Sequence, residues 1–470
     1  MAAMAKLSRL GSARRRPRTN PGVRSARPIR AEPGTGSSPQ EQFTLGRQDG
    51  YERGFDAGYR EGVRNGQQSF GNWFEGTSII IPTYNQKDLL MQCVDSIRLH
   101  TGVPYEIIIV DNGSTDGTGD YLQSLTGQVR FRVLETNRGF AGAVNVGLMM
   151  SRGTTLLLLN NDTLVAERWL DNMLACLNSD DQIGMVGPVT NFIGGDQLID
   201  VPYTDVKDMP AFAREFNRPD PGKWRRTDRL TGFCLLFRRD LFDRIGFFDE
   251  GYELGNYEDD DYNIRVRLLG SQMAIAGDSF IHHFGSVSIK SFGDEFRAIN
   301  DRNQIYFMGK WQNPYEWIQR VRQHSAAGGA LPGMHAFFPD RVAVQGWGAD
   351  VFWIEGGMRR PVEGALSIPS VRLSKVDLRR WPLAAPISAL EAERRWHGID
   401  DGGTGAGVAL LPDGTPYHLE GNTVRRIISS TAMQAWQLHL KPLVTMAPEQ
   451  LADKAEGLPI VAPPQIRQRL

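Results

Sequence analysis

The chain carries its chemistry-bearing residues in short polar clusters, each set at the end of an apolar run. "PTYNQ" (82–86) follows "TSIII", "DNGSTDG" (111–117) follows "EIIIV", "ETNRGFAGAVNVG" (135–147) follows "VRFRVL", and "NNDT" (160–163) follows "TLLLL". Ordinary polar loops do not place carboxylates and amides directly after every strand. These residue types suit a nucleotide. A carboxylate such as Asp111 can accept from the imide N–H of uracil or thymine, Tyr84 can stack on the base, and Arg138 is available to a phosphate. Gly139 and Gly142 let the backbone approach a ligand, although the G-x-G-x-x-G spacing of a dinucleotide site is absent. Further on, "YEDDDYNIR" sets Glu258, Asp259, Asp260 and Asp261 side by side. Adjacent carboxylates raise one another's proton affinity, which moves a base towards neutral pH.

The elements that must hold these clusters alternate. Apolar runs at 77–81, 106–110, 129–134 and 155–159 read as buried strands, the first ended by Pro82. Leu89, Leu90, Cys93, Val94 and Ile97 have helical spacing, and a helix is expected from about Gly139 to Met150. Continuous apolar strands separated by helices imply an α/β fold with a mostly parallel sheet covered on both faces. Right-handed crossovers then gather the strand C-termini, and any ligand, along one edge.

These motifs resemble the inverting nucleotide-sugar glycosyltransferases of family 2, which have the GT-A fold. The similarity runs over about residues 77–307, and "DNGSTDG" with "NRGFAGAVNVG" is most like the bacterial rhamnosyltransferase-type members. The resemblance implies that the last aspartate of a D-x-D motif, here "NND" with Asn160 in the first place, binds a divalent cation. Asp162 is therefore the expected ligand for Mn²⁺ or Mg²⁺. It also implies that "EDDD" holds the general base, Asp259, with Asp261 as second candidate. An H-x-x-x-x-S pattern in "IHHFGSVS" selects His283 as a further metal or diphosphate ligand. The nucleotide site is assigned to Pro82, Tyr84, Asn85, Asp111, Asn112, Arg138 and Asn161. The implied donor is a UDP- or dTDP-sugar, and the acceptor a hydroxyl of a glycan, glycolipid or glycoprotein. A degenerate member that binds glycan or nucleotide without turnover is the rival, which Asn160 favours and the intact acidic run disfavours. A nucleotidyltransferase would want a glycine-rich signature after the first strand, where only Lys87 is available.

The remainder of the 470 residues frames this centre. Nine Lys/Arg face Glu32 alone within residues 1–40 of a chain whose formal net charge is −1. The basic excess is thus confined to a tail read as unstructured, which argues against a nucleic-acid-binding body. No run of 18 apolar residues exists, so no transmembrane segment is expected, and three widely spaced cysteines suit a reducing compartment. A cytoplasmic protein follows, with attachment at the inner membrane face allowed by the tail. Residues 41–75 read as a helix patterned by glycine at 50, 54, 58, 62 and 66, with self-association expected through 46–66. The transferase domain is placed at 76–320, a linker at 321–345, and two small β-rich modules at 346–470. The modules rest on a repeat. "VFWIEGGMRRPV" (351–362) resembles "PYHLEGNTVRRII" (416–428), the second with one extra turn residue, and "AAPI" (384–387) and "GLPI" (457–460) close them. The paired arginines 359/360 and 425/426 read as strand ends holding each module in register, or less readily as a polyanion site.

Overall fold

The computed structural model describes residues 73–467 apart from 126, 128, 286–292, 326–332 and 400–405. The basic tail and nearly all of the glycine-patterned helix, with its expected self-association, lie outside the described residues.

The first sheet and its helices follow the order β1 (Phe74–Thr83), α1 (Lys87–His100), β2 (Tyr105–Asp111), α2 (Thr118–Ser124), β3 (Val129–Val133), α3 (Gly139–Met150), β4 (Gly153–Leu159) and β5 (Thr163–Leu164). They continue through α4 (Trp169–Asn178), β6 (Ile183–Thr190), α5 (Met209–Phe216), β7 (Arg225–Thr227), β8 (Cys234–Arg238), α6 (Arg239–Ile245), α7 (Glu258–Leu268), β9 (Gln272–His283), α8 (Gly293–Trp311) and α9 (Pro314–Ser325). The sheet runs β3-β2-β1-β4-β8-β6-β9-β5, with β7 paired to β9. Six of its nine strands point the same way; β8, β5 and β7 run against them.

The leucine run of β4 shows why the strands are apolar throughout. Leu156 and Leu158 pack with Val144 and Leu148 of α3, while Leu157 and Leu159 pack on the other face with Val94 and Ile97 of α1 and Trp169 of α4. A strand covered on both faces has no solvent side to make polar. Pro82 does not end β1 as expected: it pairs with Val110, and Thr83 with Asp111. Pairing of β1 with β4 stops at Ile80, so the missing N–H of Pro82 falls where no partner strand needs it.

The C-terminal region holds two five-stranded sheets of one topology. The first comprises β10 (Val342–Gln345), β11 (Val351–Glu355), β12 (Met358–Glu363), β13 (Ser370–Arg372) and β14 (Ile387–Ser388), ordered β13-β10-β11-β12-β14. The second comprises β15 (Ala406–Leu410), β16 (Pro416–Glu420), β17 (Thr423–Arg426), β18 (Leu443–Thr445) and β19 (Ala455–Glu456), ordered β18-β15-β16-β17-β19. Both hairpins turn on two residues, since Glu355 faces Met358 and Glu420 faces Thr423. The extra residue of the second copy therefore lies in its strand and not in its turn. By register Arg360, opposite Trp353, is the equivalent of Arg425, opposite His418. Each arginine Nε donates to the residue before the proline of its closing segment, Ala385 O at 3.0 Å and Leu458 O at 2.7 Å. Each of these two arginines ties down the closing segment of its own module and is not free for a polyanion.

The segment 321–345 is no simple linker. Val321 closes the core side of α9, and Met334, Phe337, Phe338, Val342, Ala343 and Val344 are buried. Among the described residues no helix is long and apolar enough to cross a membrane.

Candidate functional site

The tips of β1, β2 and β4 open onto a pocket of about 250 Å³. Its floor comes from the polar cluster after β4. Asn160 N donates to Phe233 O at 2.8 Å, and Asn161 Nδ2 donates to Thr83 Oγ1 at 2.8 Å, so the turn is locked to both neighbouring strands. The next residue, Asp162, is delivered to His283 by the strand register: β5 pairs with β9 through Thr163 and His283. Asp162 Oδ1 and His283 Nε2 lie 3.2 Å apart.

His283 is held from every side but one. Its backbone N–H donates to Asn191 Oδ1 at 2.8 Å, and its ring stacks on Phe233 with centroids 5.3 Å apart. Nδ1 lies 2.8 Å from Phe192 O, an acceptor, so Nδ1 carries the proton and Nε2 presents its lone pair in the neutral ring. Nε2 is buried without a hydrogen-bond partner among the described residues; it faces Asp162 without the alignment of a hydrogen bond. Two acceptors thus meet across a gap that a proton or a cation must fill. Adjacent ligands of a small hard cation at ~2.1 Å sit roughly 3 Å apart, so the pair fits Mg²⁺ or Mn²⁺. Among the described residues no group of three such ligands gathers, so substrate and water would complete the shell.

The opposite rim is backbone under tension. Gly139 adopts a φ of +74°, and a Cβ there would stand 3.2 Å from Leu254 N. Phe140 N donates to Leu254 O at 2.8 Å, which docks α3 on the loop before α7. Leu254, Asn256 and Tyr257 all take left-handed conformations, at φ 52°, 78° and 72°. Such residues cost about 1–3 kcal/mol each and persist only where surroundings impose them. Here Asn303 Nδ2 donates to Glu253 O and Gly255 O, both at 2.9 Å.

That loop delivers the four acids at the first turn of α7, where successive side chains diverge. Asp259 lines the pocket: Oδ2 accepts from Gly232 N at 2.8 Å and Oδ1 from Asp260 N at 2.9 Å. Burial, then the Asp260 charge, raises its pKa to about 6 against the pull of the Gly232 hydrogen bond. Asp260 points outward to Arg229, with Nε 2.6 Å from Oδ1. Asp261 turns away from the pocket. It is fully buried against Lys310 at 2.6 Å and Arg265 at 2.8 Å and accepts from Trp311 Nε1 at 2.8 Å. Burial raises its pKa, but Lys310 and Arg265 together bring it below the usual range. As second catalytic candidate it is therefore misplaced.

The nucleotide candidates divide in the same manner. Pro82, Tyr84, Asn112 and Asn161 line the pocket. The Asn112 side chain is spent on the neighbouring loop: Oδ1 accepts from Arg138 N, and Nδ2 donates to Asn137 Oδ1 and Gly139 O. Asn85 joins two loops, its N–H donating to Ser114 Oγ and its Oδ1 accepting from Thr115 N. Asp111 lies behind the pocket wall, fully buried; Oδ1 accepts from Ser114 N, while Oδ2 has no partner among the described residues. The exposed Arg138 lines the neighbouring cleft instead. Sequence reasoning named Glu258 in the acidic run without assigning it to the site, and missed Gly232 and Phe233, which support Asp259 and His283. Their only signal was their place in "TGF".

Comparison with known proteins bears on the family of the chain. Residues 78–246 match the model of "Glycosyl transferase family 2". A "PGL/p-HBAD biosynthesis glycosyltransferase" of Mycobacterium bovis is 30% identical over 226 residues, 47% of this chain and 81% of that protein. A glycosyltransferase of Streptococcus pneumoniae is 27% identical over 212 residues, 43% of this chain and 68% of that protein. Among solved structures, a mannosyltransferase from Pyrobaculum calidifontis in complex with GDP-Man and Mn²⁺ aligns with a TM-score of 0.35 and 19% identity, over 59% of this chain and 85% of that one.

Proposed function

The chain belongs to glycosyl transferase family 2, and we propose that it moves a sugar from a nucleoside-diphosphate donor to an acceptor hydroxyl with inversion, using Asp259 as general base. One observation carries this reading. A buried carboxylate with a pKa near 6 shares a pocket with the Asp162–His283 pair. Two backbone N–H groups fix the Asp259 carboxylate, which lines the pocket and keeps a second lone pair on each oxygen. The acceptor oxygen attacks the anomeric carbon as its proton passes to Asp259, and the bond to the diphosphate oxygen breaks on the opposite face. A divalent cation bound at Asp162 and His283 would offset the charge on the leaving diphosphate. Tyr84 lines the pocket and suits stacking on a nucleotide base, and a UDP- or dTDP-sugar is the donor we favour; Asp111, behind the wall, holds the Ser114 loop instead. Among hexosyl donors the motifs favour a rhamnosyltransferase-like member, acting on a glycan, glycolipid or glycoprotein in the cytoplasm or at the inner membrane face. Asp261 belongs to the frame and takes no part in proton transfer.

Asp259→Asn tests the assignment. Turnover falls by about 10²–10⁴-fold while nucleotide affinity stays within about twofold of wild type. A variant that keeps most of its turnover moves the base elsewhere.

A further inference from the structure

Glu258 is left idle by the mechanism above, yet its placement is costly. It opens α7 beside Asp259, lines the same pocket and is only 5% exposed. Its Oε2 is buried with no hydrogen-bond partner among the described residues. Leaving such an oxygen unmet carries the full desolvation penalty of the group, which a ligand can remove. The neighbouring cations are engaged elsewhere, Arg229 with Asp260 and both Lys310 and Arg265 with Asp261. What remains around Glu258 is negative: Asp259, Asp260 and Asp261 follow it directly, and Asp162 shares the pocket.

We infer that Glu258 hydrogen-bonds a hydroxyl of the donor sugar and so distinguishes sugar nucleotides that present one there from those that do not. The inference rests on the transferase reading and adds the selecting residue to it. Burial first, then the Asp259 charge, holds the Glu258 carboxyl well above the usual carboxylate range, a shift that favours its neutral form. A neutral carboxyl donates through its O–H and accepts through its C=O, the complement of an alcohol, whereas a carboxylate could only accept. Its position fits the sugar and not the base, because Tyr84 and Asn112 line the pocket just beyond the tips of β1 and β2 while Glu258 adjoins the proton acceptor. A polar group buried in this way rejects a ligand that cannot satisfy it, which is how a site reads one hydroxyl.

The test uses the full chain with Mn²⁺ and a panel of UDP-glucose, UDP-galactose, UDP-N-acetylglucosamine, GDP-mannose and dTDP-rhamnose. Nucleotide release is measured for each, and calorimetry compares the best donor with its own nucleoside diphosphate. Glu258→Ala is expected to weaken the sugar nucleotide about tenfold or more while leaving the nucleoside diphosphate unchanged, a ratio that a merely structural defect would not move. Glu258→Met, of similar length and without polar oxygens, repeats the test if alanine unsettles the fold. Glu258→Gln, neutral and still a donor, is expected to keep at least about a tenth of wild-type turnover, far above Asp259→Asn. Glu258→Gln as inactive as Asp259→Asn would overturn the inference, since it would make the charged form the working one. So would alanine and methionine variants that bind the sugar nucleotide like wild type. Wild-type protein that neither binds nor turns over any donor is a different result: it removes the transferase reading itself.

Discussion

Asp259 has to be ionised to take a proton, and its carboxyl sits at about 6 because burial and Asp260 oppose the charge. Activity should therefore rise with pH through about 6 and level off above it, as the deprotonated fraction saturates. A kcat/KM profile between pH 5 and 8 reads this directly; a limb near pH 4 would mean an unperturbed carboxylate and a different base. At this scale the sequence was informative about residue type and poor about direction. "NNDT" and "IHHFG" each showed a ligand, and strand register brought Asp162 and His283 together across some 120 positions. The acid run could not be resolved in the same way. Consecutive residues of a helix turn about 100° apart, so Glu258 and Asp259 meet the pocket while Asp260 and Asp261 meet cations supplied by distant segments.

Among the elements, α7 and α8 are bound by a buried charge network that also fixes the catalytic turn. Lys310 of α8 lies 2.6 Å from both Asp249 and Asp261, with all three side chains fully buried. Replacing Lys310 by alanine leaves two buried carboxylates short of their counter-charge, and a loss of about 3–5 kcal/mol of stability is expected, measured by denaturant unfolding. A change below about 1 kcal/mol would contradict the structural role given to Asp261. The strands and α3 were legible because their apolar runs are continuous and their ends are polar. Pro82 misled because the edge of pairing at Ile80, which makes a proline harmless there, is set by β4 and not by any local signal. The register of the two hairpins was likewise hidden: similar letters, "RR", stand one strand position out of step, so that register makes Arg360 the equivalent of Arg425.

Across the whole molecule, the C-terminal end returns to the catalytic domain. Gln465 N donates to Asp249 Oδ1 at 2.9 Å, Glu250 N donates to Gln465 O at 2.9 Å, and Arg467 N donates to Glu250 Oε2 at 2.7 Å. The second module thus supports the chain that leads into α7, which no reading of its repeat could show. This support should be acid-labile. Burial holds His418 neutral, at about 4 in the folded chain against 6.5. The folded Glu420 carboxyl lies near 2: burial opposes its charge, but His418 and Arg425 outweigh it. Both folded values lie below the unfolded ones, so the unfolded chain binds more protons as pH falls and stability is lost. The His418 share, on the order of 3 kcal/mol, disappears between about pH 6.5 and 4, and the Glu420 share follows below 4.5. Thermal unfolding from pH 8 to 4 should show the decline, and His418→Gln should flatten its upper part; equal decline in both proteins would assign it elsewhere.

Calorimetric titration of UDP, dTDP and GDP into the full chain, with and without Mn²⁺, tests the central claim most directly. One nucleotide should bind in the micromolar range only with the metal, and Asp162→Ala should abolish that dependence. Binding that ignores both the metal and Asp162, or no binding by folded protein, would contradict the site described above.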